Sequence, residues 1–123
     1  MIRGAPPTVF VSDMDRSVAF YTETLGLALA FGAGEHWAQV NAGNGTEIGL
    51  HPRSDQAPEP GSVGAISIGL NVDEPIDEVI AKLVKLGVEF PQGVSSDGML
   101  RLAHFADPDG NPLYLCEQPK WGA

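Results

Sequence analysis

The 123-residue chain has a single cysteine, few aromatic residues (7%), and seven Lys and Arg against sixteen Asp and Glu. Each shortage excludes something. Cys116 stands alone, so no intrachain disulfide can form, and no CxxC or Cys/His cluster offers four zinc ligands at short spacing. A reducing cytoplasm is the compartment expected from this cysteine usage. No apolar run approaches the ~18 residues that would span a bilayer, and residues 1–7 contain no apolar segment of signal-peptide length. Neither membrane insertion nor secretion is expected. The formal charge of −9, with basic residues scattered singly from Arg3 to Lys120, argues against nucleic acid, because phosphate binding needs a basic stripe. A neutral or cationic small molecule is the better candidate partner. A chain of this length folds as one domain, burying roughly two-thirds of its unfolded surface without staples.

What the chain does have is an internal repeat. Setting each residue over the one 61 positions later aligns Val11 with Val72, Asp13 with Glu74, Val18 with Val79, and Leu25-Gly26-Leu27 with Leu86-Gly87-Val88. Each half reads βαβββ. Strands are predicted at 8–11 and 65–72 from their β-branched and apolar content. Helices follow. The first is capped by Asp13 or Asp15, carries Met14, Val18, Tyr21 and Leu25 at helical spacing, and stops at Gly26. The second is led in by Asp73, Glu74 and Pro75, carries Ile76, Val79, Ile80, Leu83 and Leu86, and stops at Gly87. Three further strands are predicted in each half, at 28–31, 37–40 and 46–51, and at 88–90, 100–106 and 113–117, with turns at 41–45 and 107–111. Module 1 spans about 6–51 and module 2 about 63–118, joined by a linker over 52–62 that carries Pro58, Pro60 and Gly61 and no apolar pattern.

Residues 11–21 (Val-Ser-Asp-Met-Asp-Arg-Ser-Val-Ala-Phe-Tyr), then Leu25-Gly26-Leu27 and later Phe105-Ala106-Asp107-Pro108-Asp109-Gly110-Asn111, resemble the glyoxalase / bleomycin-resistance / extradiol-dioxygenase superfamily, also called vicinal oxygen chelate proteins. The resemblance covers nearly the whole chain in order and spacing. It implies an α+β fold of two βαβββ modules forming a curled mixed sheet around a central cleft, frequently as a homodimer. It implies no particular reaction, since the family holds isomerases, dioxygenases, thiol transferases and drug-binding proteins.

Family enzymes usually hold a divalent ion with His, Gln or Glu from the first and last strands of each module. The resemblance places these four positions at Pro6, Glu47, Ser67 and Tyr114. Only Glu47 is a strong ligand, so no metal or other cofactor is expected. A rearranged site could use Glu47 or His51 with His104, though Glu47 and His51 alone stand ~13 Å apart along one strand.

Projecting strand alternation onto the implied cleft selects Thr8, Phe10, Trp37, Gln39, Glu47, Gly49 and His51 from module 1. Module 2 adds Ser67, Gly69, Leu102, His104, Pro112, Tyr114 and Cys116. The candidate ligand-binding residues are Phe10, Trp37, Gln39, Glu47, His51, Ser67, Leu102, His104 and Tyr114: area from aromatic and aliphatic groups, orientation from a few polar ones. Ordinary core packing is the competing reading for Trp37 and Phe10. As catalytic candidates, Glu47 with His104 as acid and base, and Tyr114, outrank Ser67 or Cys116 as a nucleophile, because no GxSxG elbow or third group accompanies either.

The segment 107–111 begins like an EF-hand loop, but Pro112 occupies the slot that needs glycine, so a tight turn is expected. Arg101 is open to two readings, a ligand contact or a group on the sheet surface.

Two functions follow. One is a metal-free small-molecule-binding protein of the bleomycin-resistance type that sequesters a hydrophobic neutral or cationic compound such as an antibiotic. The other is a lyase, isomerase or dioxygenase working through Glu47, His104 and Tyr114, with or without a displaced metal. A homodimer is expected from the resemblance and from sheet edges that invite pairing.

Overall fold

A computed structural model describes residues 6–55, 57–62, 66–97 and 100–118. The elements run β1 (Thr8–Val11), α1 (Met14–Ala19), β2 (Ala28–Gly32), β3 (Ala38–Gly43), β4 (Thr46–Pro52), β5 (Ile68–Asn71), α2 (Ile76–Lys85), β6 (Val94–Asp97), β7 (Leu100–Ala106) and β8 (Pro112–Glu117), with a π-helical turn over Phe20–Thr24 extending α1. The order is βαβββ twice. The strands form two four-stranded mixed sheets, one per module, β1-β4-β3-β2 and β5-β8-β7-β6. In each sheet the first strand of the module pairs parallel with the last, and the other two pairings are antiparallel.

The chain divides into two compact units. One contains residues 1–65 together with 107–111, and the other 66–106 together with 112–123. The β7–β8 turn therefore belongs to the first unit although its flanking strands belong to the second.

In the first unit, alternation sends Val9, Val11, Ala38, Val40, Ile48 and Leu50 to one buried face, which packs under Met14, Ser17 and Tyr21. Asp13 caps α1, its carboxylate accepting from the Arg16 amide at 3.1 Å, as its place before the apolar stripe leads one to expect. The helix then widens into the π turn instead of continuing regularly to Leu25, with the Leu25 amide donating to the Phe20 carbonyl at 3.0 Å.

In the second unit, Ile68, Ala103, Phe105, Leu113 and Leu115 form the buried face together with Ile76 and Leu83 of α2. The start of α2 is satisfied from a distance. The Ile76 amide donates to Glu117 Oε2 at 2.7 Å, while Pro75 occupies the cap position. Arg101 bridges Asp77 of α2 (3.2 Å) and Glu117 of β8 (3.4 Å), so it serves the helix-bearing side of this sheet.

One predicted strand moves. Residues 88–90 are not a strand; β6 lies at Val94–Asp97 and pairs with β7 from Val94 opposite Ala103. The Val88 amide is taken by the Leu83 carbonyl at 3.0 Å, closing the helix end, and Pro91 has no amide to contribute. Val88 is buried and Phe90 stacks near Phe105, ring centroids 5.4 Å apart, so these apolar residues plug the core instead of extending the sheet. The predicted 65–72 strand begins at Ile68, and Ala65 lies outside the described residues.

Candidate functional site

Each sheet has a second face away from its helix. In the first unit, register sets Phe10 beside His51 and Thr8 beside Gly49 across β1 and β4. It sets Gln39 beside Gly49 and Asn41 beside Glu47 across β3 and β4. Trp37, one residue before β3, continues the same alternation. All of these are half-buried except Gly49, which is buried.

The side chains interlock. A Cβ on Gly49 would lie 2.2 Å from Trp37 Cη2 and 2.7 Å from Cζ2, so the six-membered ring of the indole occupies space that only glycine leaves clear. The His51 ring stands edge-on to Phe10 and to Trp37, with centroids 5.5 Å and 6.4 Å away. Trp37 Nε1 donates to Gln39 Oε1 at 3.4 Å, and Gln39 Nε2 donates to Glu47 Oε2. This chain orients the Gln39 amide, because an indole N–H can only donate and a carboxylate only accept. His51 Nδ1 lies 2.7 Å from the Pro52 carbonyl oxygen, so Nδ1 carries the hydrogen and, in the neutral ring, Nε2 keeps the lone pair.

In the second unit the corresponding face carries Gly69, Asn71, Leu102, His104, Pro112, Tyr114 and Cys116. Ser67, exposed, immediately precedes β5. Tyr114 repeats the arrangement of Trp37: a Cβ on Gly69 would come within 2.4 Å of its Cζ. His104 lies opposite Tyr114, ring centroids 5.7 Å apart. The sequence-derived list thus falls into two groups, Phe10, Trp37, Gln39, Glu47 and His51 on one sheet and Leu102, His104 and Tyr114 on the other.

Sequence reasoning missed Asn41 on the first face, although its parity with Gln39 could have found it. It also missed an open groove of about 490 Å³ between α1 and β2–β3, whose lining includes Met14, Asp15, Val18, Glu23, Leu29 and Trp37. The segment 107–111 forms the expected tight turn. Asp107 Oδ1 accepts from the amides of Asp109 (3.0 Å) and Asn111 (2.9 Å), so its carboxylate is used in the turn.

The donor set at the family's metal positions does not fit a divalent ion. Pro6 has no side-chain donor, the Glu47 carboxylate accepts from Gln39, and Ser67 and Tyr114 carry neutral hydroxyls. Among the described residues no three His, Cys, Asp or Glu side chains gather to hold a metal. No described helix is long and apolar enough to cross a membrane.

No curated protein matches the chain. Solved structures do. A glyoxalase/bleomycin resistance protein/dioxygenase superfamily member from Sphaerobacter thermophilus DSM 20745 is 27% identical, with TM-score 0.79 over 96% of this chain and 98% of that one. TnmS3, an antibiotic-binding protein from Streptomyces sp. CB03234, is 31% identical, with TM-score 0.73 over 97% and 99%. A lactoylglutathione lyase from Agrobacterium tumefaciens shares the fold at 19% identity, with TM-score 0.75 over 98% and 97%. The family profile matches residues 5–115, and the chain belongs to the Glyoxalase/Bleomycin resistance protein/Dioxygenase superfamily.

Proposed function

We propose that this protein binds and sequesters a small hydrophobic compound, neutral or cationic, such as an antibiotic, and does so without a metal. The observation that carries the reading is the open face of the first sheet. There Trp37, Phe10 and His51 supply aromatic area around one hydrogen-bonded carboxylate, Glu47, while three of the four family metal positions lack a strong ligand. Similarity to the antibiotic-binding TnmS3 supports the same reading.

The test is a titration with a panel of apolar natural products, followed by Trp37 emission in a Trp121→Phe background. Saturable quenching with the compound recovered intact is the expected result. Turnover of a compound by metal-loaded protein, with metal near one equivalent per chain, overturns it.

A second reading, a lyase, isomerase or dioxygenase, draws support from the second sheet alone, where the His104 and Tyr114 rings lie close together. It requires activity that Tyr114→Phe and His104→Ala both abolish.

The protein is further proposed to act as a cytoplasmic homodimer. In support, Leu29 and Phe31 on edge strand β2 are 52% and 58% exposed, an apolar edge that a second copy would cover. Light scattering at micromolar concentration should return twice the chain mass, and Phe31→Asp should lower it.

A further inference from the structure

We infer that the ligand of the first sheet's open face carries a protonated amine on an aromatic or alicyclic body, with Glu47 taking the ammonium and Trp37 and Phe10 taking the body. This rests on the small-molecule reading above and narrows its ligand to one chemical class. Three observations lead there.

The first is the charge of the face. Of the residues that register places on it, Glu47 alone is charged. The described cations of the same unit are engaged elsewhere: Arg16 with Ser12 and Asp109, Arg53 with Glu59. Glu47 thus meets an amide but no cation, and a half-buried carboxylate held this way is completed by a positive partner.

The second is hydrogen-bond direction. Gln39 cannot turn its oxygen toward a ligand, because that oxygen accepts from Trp37 while its nitrogen donates to Glu47. Glu47 Oε1 is left as an acceptor. In the neutral form of the ring, His51, its Nδ1 hydrogen given to Pro52, keeps a lone pair on Nε2, four residues along β4 from Glu47. A ligand carboxylate or phosphate would meet the negative charge of Glu47, whereas an ammonium supplies the donors that Oε1 lacks.

The third is the wall. The indole of Trp37, pinned on Gly49 and linked through Gln39 to Glu47, stands in the same hydrogen-bonded chain as the carboxylate. Indole is the best aromatic partner for a cation. In this arrangement Gln39 is a positioning residue that aims Glu47 without needing to touch the ligand.

Equilibrium dialysis with three matched probes tests the inference: 1-naphthylmethylamine, 1-naphthalenemethanol and 1-naphthoate, at pH 7. The amine should bind about tenfold more tightly than the alcohol, the scale of one charge-assisted hydrogen bond, and the carboxylate should bind weakest. In Glu47→Gln the ratio of amine to alcohol affinity should fall toward one. Independently of any variant, amine affinity should fall between low and high salt and alcohol affinity should not. Equal binding of amine and alcohol by the wild type, or a preference that survives Glu47→Gln, overturns the ammonium assignment and leaves the sequestering role standing. If none of the three probes binds, the small-molecule reading of this face fails, and the assignment with it.

Discussion

The phenol of Tyr21, at the end of the first helix, donates to the carboxylate of Asp107 at 3.0 Å across 86 residues of sequence. Tyr21 is fully buried and Asp107 nearly so. The same Asp107 oxygen accepts from Asn111 Nδ2 at 2.9 Å, and that amide nitrogen also donates to the Phe10 carbonyl at 3.1 Å. Asn111 Oδ1 in turn accepts from the Gly61 amide at 2.9 Å. The turn at 107–111 is thereby tied to β1, to α1 and to the segment that follows β4.

Tyr21→Phe should destabilise the fold by about 1.5–3 kcal/mol, the range for a hydrogen bond to a charged group, seen as a lower urea midpoint at pH 8. The pH dependence has a defined sign. Burial first, and then Asp107, push the Tyr21 phenol well above the ordinary tyrosine range. The native state therefore holds this proton more tightly than the unfolded chain does. The resulting stability is complete below the unfolded value of about 10 and is lost as pH climbs above it. The gap between wild type and Tyr21→Phe should shrink between pH 8 and pH 11. A gap constant with pH would show that the phenol does not sense this environment.

Ser17 presents the opposite case. Its hydroxyl is buried in α1 and has no hydrogen-bond partner among the described residues. Ser17→Ala removes an unsatisfied group and improves helix propensity, so the variant should be more stable by about 0.5–1.5 kcal/mol in thermal and urea melts. A less stable variant would mean that the hydroxyl is satisfied in solution.

Gly49→Ala should act on the site through Trp37. The backbone at Gly49 is not left-handed, so the added methyl costs through overlap with the indole, about 1–3 kcal/mol of stability for a forced repacking. Trp37 emission should shift to the red and naphthyl probe binding should fall. Gly69→Ala, whose methyl meets Tyr114, should cost stability in the second unit by the same kind of overlap.

Gly61 faces a harder constraint. Its φ is +84°, and an added Cβ would lie 1.8 Å from the Asp109 carbonyl oxygen. Gly61→Ala should cost more than Gly49→Ala, because backbone cannot step aside as a ring can, and the loss should appear in the melting temperature.

The element order was legible because its signals are local. Alternation in Thr8–Val11 and in Thr46–Pro52, the apolar stripe of α2 and the Asp13 cap each operate within a few residues. Parity separates the two faces of each sheet and the resemblance says which one faces the cleft, and together they group Phe10, Trp37, Gln39, Glu47 and His51. The failures share one cause. Val88 and Phe90 have the composition of a strand, but the helix end and the core claim them, and the polar Val94–Asp97 pairs with β7 in their place. Arg101 was undecidable until Asp77 and Glu117 were brought beside it.

By itself, then, the sequence determined two βαβββ modules and their family, because periodicity, turn chemistry and residue identity are properties of the chain at short range. Only the tertiary structure decided that Tyr21 and Asn111 converge on Asp107, that Trp37 lies on Gly49, and that Gln39 and His51 have their hydrogens directed. Those relationships join groups that no local pattern links, and they exist only once packing has brought a donor, an acceptor and the space between them into register.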